Sequence, residues 1–162
     1  MDIPASDDTP PFILEKRDLC LIHQLRKNGR LGLTELSRLT NIPISTLHER
    51  LKVYAKSGLI RRYTTLLDFY LLGYSIRAFM FFVADKNTKE TLRSYLATCP
   101  CVNTLTKINH GYDFFVEAVF RTMQEVDAFR ERVCQKYGAK HVEIHYVIEE
   151  IKEEGFLLTK PD

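Results

Sequence analysis

Residues 44–56 (ISTLHERLKVYAK) combine polar side chains in a pattern that suits contact with nucleic acid. Apolar residues recur there at helical spacing, and the rest of the helical wheel is polar. Hydroxyl groups near the start of a helix can hydrogen-bond to base edges, a carboxylate can accept from a cytosine amino group, and cations can neutralise phosphates. The candidate contact residues are Ser45, Thr46, His48, Glu49, Arg50, Lys52 and Lys56.

A charged helix face is usually only solvated, so the flanking segments decide between the two interpretations. Apolar spacing predicts helices over residues 14–28, 34–40 and 43–57. Asn41 tolerates the left-handed conformation of a tight turn, and Gly58 is expected just past the end of the third helix. The second and third helices would then form a helix-turn-helix motif, whose second helix fits the major groove of DNA.

Two details of these helices follow from their side chains. Thr34 is the expected N-cap of the second helix, because its hydroxyl can accept from a backbone amide of the first turn. The third helix is expected to pack inward through one apolar stripe. That stripe consists of Ile44, Leu47, Leu51 and Tyr54.

The charge distribution separates the two halves of the chain. Residues 15–63 hold eleven Lys and Arg against four Asp and Glu, a net charge of +7. Residues 64–162 hold twelve against fourteen, a net charge of −2. A basic segment beside a mildly acidic one indicates that only the first half is suited to a polyanion.

The C-terminal half has strands and helices in the order βαββαβ. This order is the split βαβ arrangement of ferredoxin-like folds, in which helices cover one face of the sheet. The other face, rich in aromatic residues, would need a partner, which favours self-association. The predicted strands are residues 75–84, 102–108, 113–120 and 142–151, with a further strand at residues 59–66, and the predicted helices are residues 88–99 and 122–138.

The chain is therefore predicted to consist of a helix-turn-helix domain, a hinge and an α/β domain, with a tail at each end. The composition, 45% apolar and 27% charged residues, is typical of globular proteins. The apolar run at residues 78–84 is far shorter than the roughly 20 residues that cross a bilayer, so we expect a cytoplasmic protein without a membrane segment. The predicted limits are residues 1–13 (flexible tail), 14–63 (helix-turn-helix), 64–74 (hinge), 75–154 (ligand-sensing and oligomerisation domain) and 155–162 (tail).

Cysteines and histidines of the second half raise the question of a metal site. Cys99, Cys101 and His110 are separated in sequence from His141 and His145. If they share one strand, His141 and His145 lie roughly 13 Å apart at about 3.3 Å per residue, too far for one ion with bonds of about 2 Å. We expect no metal and no other cofactor. The thiols are expected to be packed or idle, and a redox pair formed by Cys99 and Cys101 stays open.

Catalysis has little support in the sequence. Asp113 and His110 could be written as an acid–base pair, yet no nucleophile, Gly-rich phosphate loop or second carboxylate accompanies them. We therefore expect that the protein is not an enzyme.

Four segments are together similar to the motifs of one known family. LEKRDLCLIHQLRKNGR at 14–30 looks like its first helix, and ISTLHERLKVYAKSGLIRRY at 44–63 looks like its recognition helix with the segment that follows. LLDFYLLGY at 66–74 is similar to its hinge, and GYDFFVEAV at 111–119 is similar to the start of one of its strands. On these motifs the chain, from Leu14 to about Glu154, resembles the Lrp/AsnC (feast/famine) transcription regulators.

The resemblance implies an α+β architecture: an N-terminal winged helix-turn-helix followed by a βαββαβ ferredoxin-like (ACT-like, or RAM) domain. It implies sequence-specific binding to pseudo-palindromic operators in double-stranded DNA by homodimers, and often by tetramers or octamers. It also implies modulation by a small molecule, commonly an amino acid. The implied effector-binding residues are Asn109, His110, Gly111, Tyr112 and Asp113.

Two positions depart from the family pattern. The family usually has Gly two residues before the tyrosine of the loop, whereas this chain has His110 there and Gly111 one position later. Pro43 replaces the usual Ser at the start of the recognition helix and removes a side-chain cap worth about 1 kcal/mol. We predict a sequence-specific transcription regulator. The alternative is a small-molecule-sensing or scaffolding oligomer that binds DNA only non-specifically.

Overall fold

The computed structural model describes residues 14–156. The predicted N-terminal tail, residues 1–13, and residues 157–162 of the predicted C-terminal tail lie outside the described residues. The chain divides into two compact units: the first holds the described residues up to Leu66 and from Lys152 onward, and the second is Leu67–Ile151. None of the helices in the described part of the chain is long and apolar enough to span a membrane.

The first unit contains the three predicted helices, α1 (Lys16–Lys27), α2 (Leu33–Thr40) and α3 (Ile44–Lys56). Asn41 has the predicted left-handed conformation, with φ 53° and ψ 34°, so it turns the chain sharply between α2 and α3. Gly58 takes φ 77° just past the end of α3, as expected of a residue that stops a helix. The buried core of this unit consists of Leu21, Leu36, Ile42, Leu47 and Tyr54.

Two predictions within these helices are wrong. Thr34 is not the N-cap of α2, because the helix begins one residue before it and Gly32, in an extended conformation, occupies the cap position. Ile44 does not pack inward: it is 47% exposed. As the first residue of α3, its side chain leans back beyond the helix start, where no preceding turn of the helix lies beside it.

Residues 59–66 form no strand, contrary to the prediction. The amide of Ile60 donates to the carbonyl oxygen of Tyr54 at 3.0 Å, so the start of this segment closes the end of α3. Tyr63 and Leu66 are each more than half exposed. A strand is stabilised by hydrogen bonds to a neighbouring strand, and the described residues of the first unit supply none.

The second unit has the predicted βαββαβ order and a ferredoxin-like sheet. The four strands are antiparallel, in the spatial order β2-β3-β1-β4. Its elements are β1 (Ile76–Ala84), α4 (Lys89–Thr98), β2 (Val102–Lys107), β3 (Phe114–Phe120), α5 (Met123–Tyr137) and β4 (Ala139–Tyr146).

The last strand is displaced from its predicted position at 142–151. It begins at Ala139 because Gly138, with φ 72°, ends α5 and turns the chain directly into the sheet. It ends at Tyr146 because Ala78, its partner in β1, is already near the start of that strand. The amide of Val147 still donates to the carbonyl oxygen of Arg77 at 2.9 Å, and the ladder stops there although the hydrophobic pattern continues.

Helices cover only one of the two faces of the sheet. Ala78, Met80 and Phe82 of β1 are fully buried beneath α4 and α5. The opposite face carries Phe79, Phe81 and Phe115, which are only half-buried. The Phe115 ring centroid lies 5.5 Å from that of Phe79 and 5.4 Å from that of Phe81, so the three rings form one continuous aromatic patch.

Candidate nucleic-acid interface

The outer face of α3 is formed by the residues that the sequence indicates. Leu47 and Tyr54 are buried against the other two helices, with exposures of 0% and 2%. Because an α-helix repeats every 3.6 residues, burial of these two positions turns the intervening polar side chains to the surface. The exposed candidates are Ser45, Thr46, His48, Glu49, Lys52 and Lys56.

Arg50 is the exception among the candidates, because it binds a buried carboxylate. Oδ1 of Asp18 in α1 accepts hydrogen bonds from Nη1 of Arg50 and from the hydroxyl of Tyr54. Oδ2 of Asp18 accepts from the backbone amide of Glu15 at 2.9 Å and so caps α1. Asp18 itself is only 7% exposed. This network joins the first helix to the third.

The network determines what Arg50 can do. A buried carboxylate is strongly unfavourable unless charged and hydrogen-bonding partners replace water, and Arg50 is the cation that does so here. Burial, the largest influence, raises the pKa of Tyr54, which therefore stays a neutral hydrogen-bond donor to Asp18. Arg50 consequently holds α3 in position, and its guanidinium is already engaged within the protein.

Glu49 lies between a histidine and a lysine on the outer face. Its Oε1 is 3.5 Å from Nδ1 of His48 and 3.5 Å from Nζ of Lys52. All three side chains are more than half exposed. Ion pairs this exposed contribute little to stability, so these side chains can rearrange toward a ligand at small energetic cost.

Two further exposed cations, which were not among the candidates, follow α3 in the sequence. Arg61 and Arg62 follow α3 directly and are exposed. Within the described residues, neither they nor Lys56 make an ion pair, whereas Arg26 and Arg38 each bind a carboxylate. The signal in the sequence was the Arg-Arg pair three residues after Gly58, which the prediction placed in a strand.

The candidate effector loop is a tight hairpin between β2 and β3. His110 and Gly111 have φ values of 66° and 93°, the sign that a two-residue type I′ turn requires at both central positions. His110 therefore adopts a conformation that glycine adopts without strain. Asn109, His110 and Gly111 are exposed at the tip of this hairpin.

The other two loop residues point into the structure of the second unit. The hydroxyl of Tyr112 donates to Glu143 of β4. The carboxylate of Asp113 accepts from Nζ of Lys89 and, at 2.8 Å, from the amide of Ala84. The Lys89 contact, followed by the Ala84 hydrogen bond, lowers the pKa of Asp113. The structure therefore brings three of the five predicted effector residues to the surface and uses two to fix the loop.

The candidate metal ligands are dispersed. Among residues 14–156 no three His, Cys, Asp or Glu side chains are grouped so that they could hold an ion. Nε2 of His145 hydrogen-bonds Oε1 of Glu143 at 2.6 Å. The sulfur atoms of Cys99 and Cys101 lie 3.2 Å apart at the opposite edge of the sheet.

Known proteins resemble this chain in sequence and in fold. The winged helix-turn-helix DNA-binding family matches residues 14–61. The HTH-type transcriptional regulator FL11 of Pyrococcus furiosus is 28% identical over 148 residues, covering 91% of this chain and 98% of the relative. The transcriptional regulator NMB0573 of Neisseria meningitidis, solved as a complex with L-Met, has a TM-score of 0.77 at 26% identity and covers 87% of this chain and 94% of its own. LrpC of B. subtilis has a TM-score of 0.80 at 23% identity, with 87% and 99% coverage.

The fold and the exposed face of α3 define a class: a DNA-binding transcription regulator with an N-terminal winged helix-turn-helix and a C-terminal ferredoxin-like domain. Its relatives of similar length are transcription regulators. These comparisons agree with the resemblance to the Lrp/AsnC regulators that the sequence shows.

Replacing Arg50 by Ala should destabilise the first unit by about 2 kcal/mol or more, because Asp18 loses the cation that compensates its burial. Lys52→Ala, on the exposed face of the same helix, should change the free energy of unfolding by less than about 0.5 kcal/mol. Urea unfolding followed by circular dichroism measures both. Equal unfolding midpoints for the two variants would show that Arg50 does not hold the helices together.

The pKa of Asp113 predicts a pH dependence of the second unit. A carboxylate whose pKa is lowered by folding stabilises the protein above its ordinary pKa, and this contribution is lost as the pH falls through the lowered value. The free energy of unfolding should therefore decrease on acidification below the ordinary Asp range, and less steeply in Asp113→Asn. Asp127→Asn, at an exposed position of α5, is the matched control and should leave the slope unchanged. Urea titrations over a pH series measure these slopes, and identical slopes in wild type and Asp113→Asn would contradict the assignment.

Proposed function

We propose that this regulator binds pseudo-palindromic operators in double-stranded DNA as a homodimer, acts in the cytoplasm and catalyses no reaction. The observation that carries the proposal is the outer face of α3. That face is polar and exposed, while Asp18, Arg50 and Tyr54 hold the inner face rigidly against α1. A rigid helix with such a face can enter the major groove without first being ordered.

Base contacts are proposed for the first turns of α3. Pro43 occupies the N-cap position and no side chain caps the helix. The backbone amides of the first turn are therefore available to donate hydrogen bonds to a ligand. Ser45 and Thr46 belong to this first turn, where short hydroxyl side chains can reach base edges. His48 and Glu49 extend the same exposed face and are the remaining candidates for base contact.

Phosphate contacts are proposed for the cations at the other end of the helix. Lys52 and Lys56 lie on the exposed side of α3, and Arg61 and Arg62 continue the basic surface beyond it. Each released counterion favours binding regardless of sequence, so these residues would supply affinity while the helix start supplies specificity. Arg50 is reassigned from a phosphate contact to a residue that positions α3.

Dimerisation is proposed through the aromatic face of the sheet. Phe79, Phe81 and Phe115 form a patch that the two helices of the second unit do not cover. Pairing two such faces about a two-fold axis would remove this apolar surface from water. Two-fold symmetry also fits an operator whose half-sites are about 34 Å apart, one turn of DNA. Tetramers or octamers would extend the bound DNA further.

An amino-acid effector is proposed for the exposed tip of the β2–β3 hairpin. The support is the exposure of Asn109, His110 and Gly111 and the similarity to NMB0573, which was solved with L-Met. Tyr112 and Asp113 would act indirectly, because their side chains connect the loop to β4, α4 and β1. Through these contacts a ligand at the tip can alter the stability of the unit that self-associates.

The proposed DNA contacts predict two kinds of mutational effect. Lys52→Ala and Arg62→Ala should weaken binding to all sequences and reduce the slope of log affinity against log salt by about 0.9 for each phosphate that is no longer neutralised. Ser45→Ala and Glu49→Ala should instead change base preference by about 1 to 3 kcal/mol for each base that the side chain contacts. Selection of bound sequences from a random duplex pool, followed by gel-shift titrations over a salt series, measures both.

Lys136→Ala, which removes a cation from α5 in the second unit, is the matched control and should leave both readouts unchanged. Enrichment of a palindrome by the wild type supports the proposed function. Binding that is salt-dependent but enriches no sequence would overturn it in favour of a non-specific scaffolding protein.

The effector proposal predicts linked changes in stability and assembly. An amino acid that binds the folded state should raise Tm with its concentration and shift the sedimentation profile. His110→Ala, which changes the exposed tip, should reduce both responses, whereas Ser94→Ala on the outer side of α4 should not. Stabilisation of the wild type with an unchanged sedimentation profile would count against control of assembly by this ligand.

A further inference from the structure

Cys99 and Cys101 lie at the junction of α4 and β2 with their sulfur atoms 3.2 Å apart. This distance exceeds the length of a disulfide bond, about 2.05 Å, by only about 1 Å. Pro100 stands between them and restricts the backbone of the junction. Both thiols are half-buried at the surface of the unit, and neither takes part in the proposed DNA or effector contacts.

Backbone hydrogen bonds hold this arrangement in place. The carbonyl of Cys99 accepts from the amide of Val102 at 3.0 Å. The carbonyl of Cys101 accepts from the amide of Val119 in β3 at 2.9 Å. The two sulfur atoms are therefore brought together by the fold, and closing a bond between them requires little further ordering of the chain.

The two thiols have different surroundings. Sγ of Cys99 lies 3.8 Å from the hydroxyl of Tyr95, against which Arg132 also packs. The pKa of Arg132 is raised chiefly by its hydrogen bond to Tyr95. Burial raises the pKa of Cys101 to about 12, which keeps that thiol protonated. Because burial keeps Cys101 protonated, Cys99 is the thiol assigned to attack first.

We propose that Cys99 and Cys101 form a redox-active dithiol whose oxidants are low-molecular-weight disulfides. The thiolate of Cys99 attacks one sulfur of the oxidant, forms a mixed disulfide and releases one small thiolate. The thiol of Cys101 then gives up its proton, attacks Sγ of Cys99 and displaces the second small thiolate. One intramolecular disulfide forms, the oxidant disulfide is reduced to two thiols, and the two protons lost by the cysteines are taken up by them.

Oxidation at this position acts on the sheet through β2. Asn103 and Thr104, just beyond Cys101, each donate to Oε2 of Glu117 at 2.8 Å. Glu117 is only 6% exposed, so its carboxylate depends on these donors. The β2–β3 pairing also changes register between Val102 and Thr104. A bond between Cys99 and Cys101 thus constrains the chain immediately before an irregular part of the ladder.

The test uses the full chain in buffers that range from reduced to oxidised glutathione. After acid quenching, alkylation and tryptic digestion, the peptide Ser94–Lys107 reports on both cysteines and contains no other thiol. We expect this peptide to become lighter by two hydrogen atoms and to lose both alkylation sites as the buffer becomes oxidising, and to recover with dithiothreitol. The thermal midpoint of the protein should change with the same redox dependence.

Three variants are compared with the wild type. Cys20→Ser/Cys134→Ser removes the other two thiols and should oxidise as the wild type does. Cys101→Ser should accumulate a mixed disulfide at Cys99, and Cys99→Ser should react much more slowly. The proposal is overturned if the wild-type peptide stays reduced where ordinary dithiols are oxidised, or if it carries only mixed disulfides. Equal reaction rates of the two single variants would overturn the assignment of Cys99 as the attacking thiol.

Discussion

The buried carboxylate of Asp18 is the constraint on which the proposed DNA-binding surface depends. A charge removed from water must be compensated inside the protein, and here the compensation comes from Arg50, Tyr54 and the amide of Glu15. Two of these three partners lie on α3, so satisfying Asp18 fixes the rotation of that helix about its own axis. The orientation of the polar face of α3 is thereby fixed. Any change that leaves Asp18 without its partners would disturb the presentation of the whole face.

In the second unit, too, a buried carboxylate with fixed hydrogen-bond partners holds an irregular part of the sheet. Glu117 is buried on the aromatic face, where burial alone would raise its pKa, and hydrogen bonds from Asn103, Thr104 and Arg77 more than offset this, so the pKa of Glu117 is lowered. Asp113 does the same for the hairpin that leads into β3. In both units, a carboxylate with fixed partners positions the segment that a ligand or a second copy would contact.

Most of the secondary structure could be predicted from the sequence because it depends on local periodicity. The three helices of the first unit, the turn at Asn41 and the βαββαβ order all follow from apolar spacing and from residues that tolerate special backbone conformations. The errors in the strands lie where pairing decides. Residues 59–66 have strand-like composition and no strand beside them, and β4 stops near the start of β1, although its apolar pattern runs on. A ladder partner is distant in sequence, so composition cannot supply it.

By itself, the sequence determined which face of α3 is polar, since that follows from the 3.6-residue period and the identity of each side chain. Only the tertiary structure decided which group each charged side chain of that helix contacts. Arg50 and Lys52 are both cations of the same helix, yet one binds a carboxylate 32 positions earlier in the chain and the other faces solvent. The reason is physical: the period of a helix is a local property, whereas the partner of a charge is whichever group folding brings near it. The proximity of the Cys99 and Cys101 sulfur atoms was decided in the same way, by the backbone hydrogen bonds that place them.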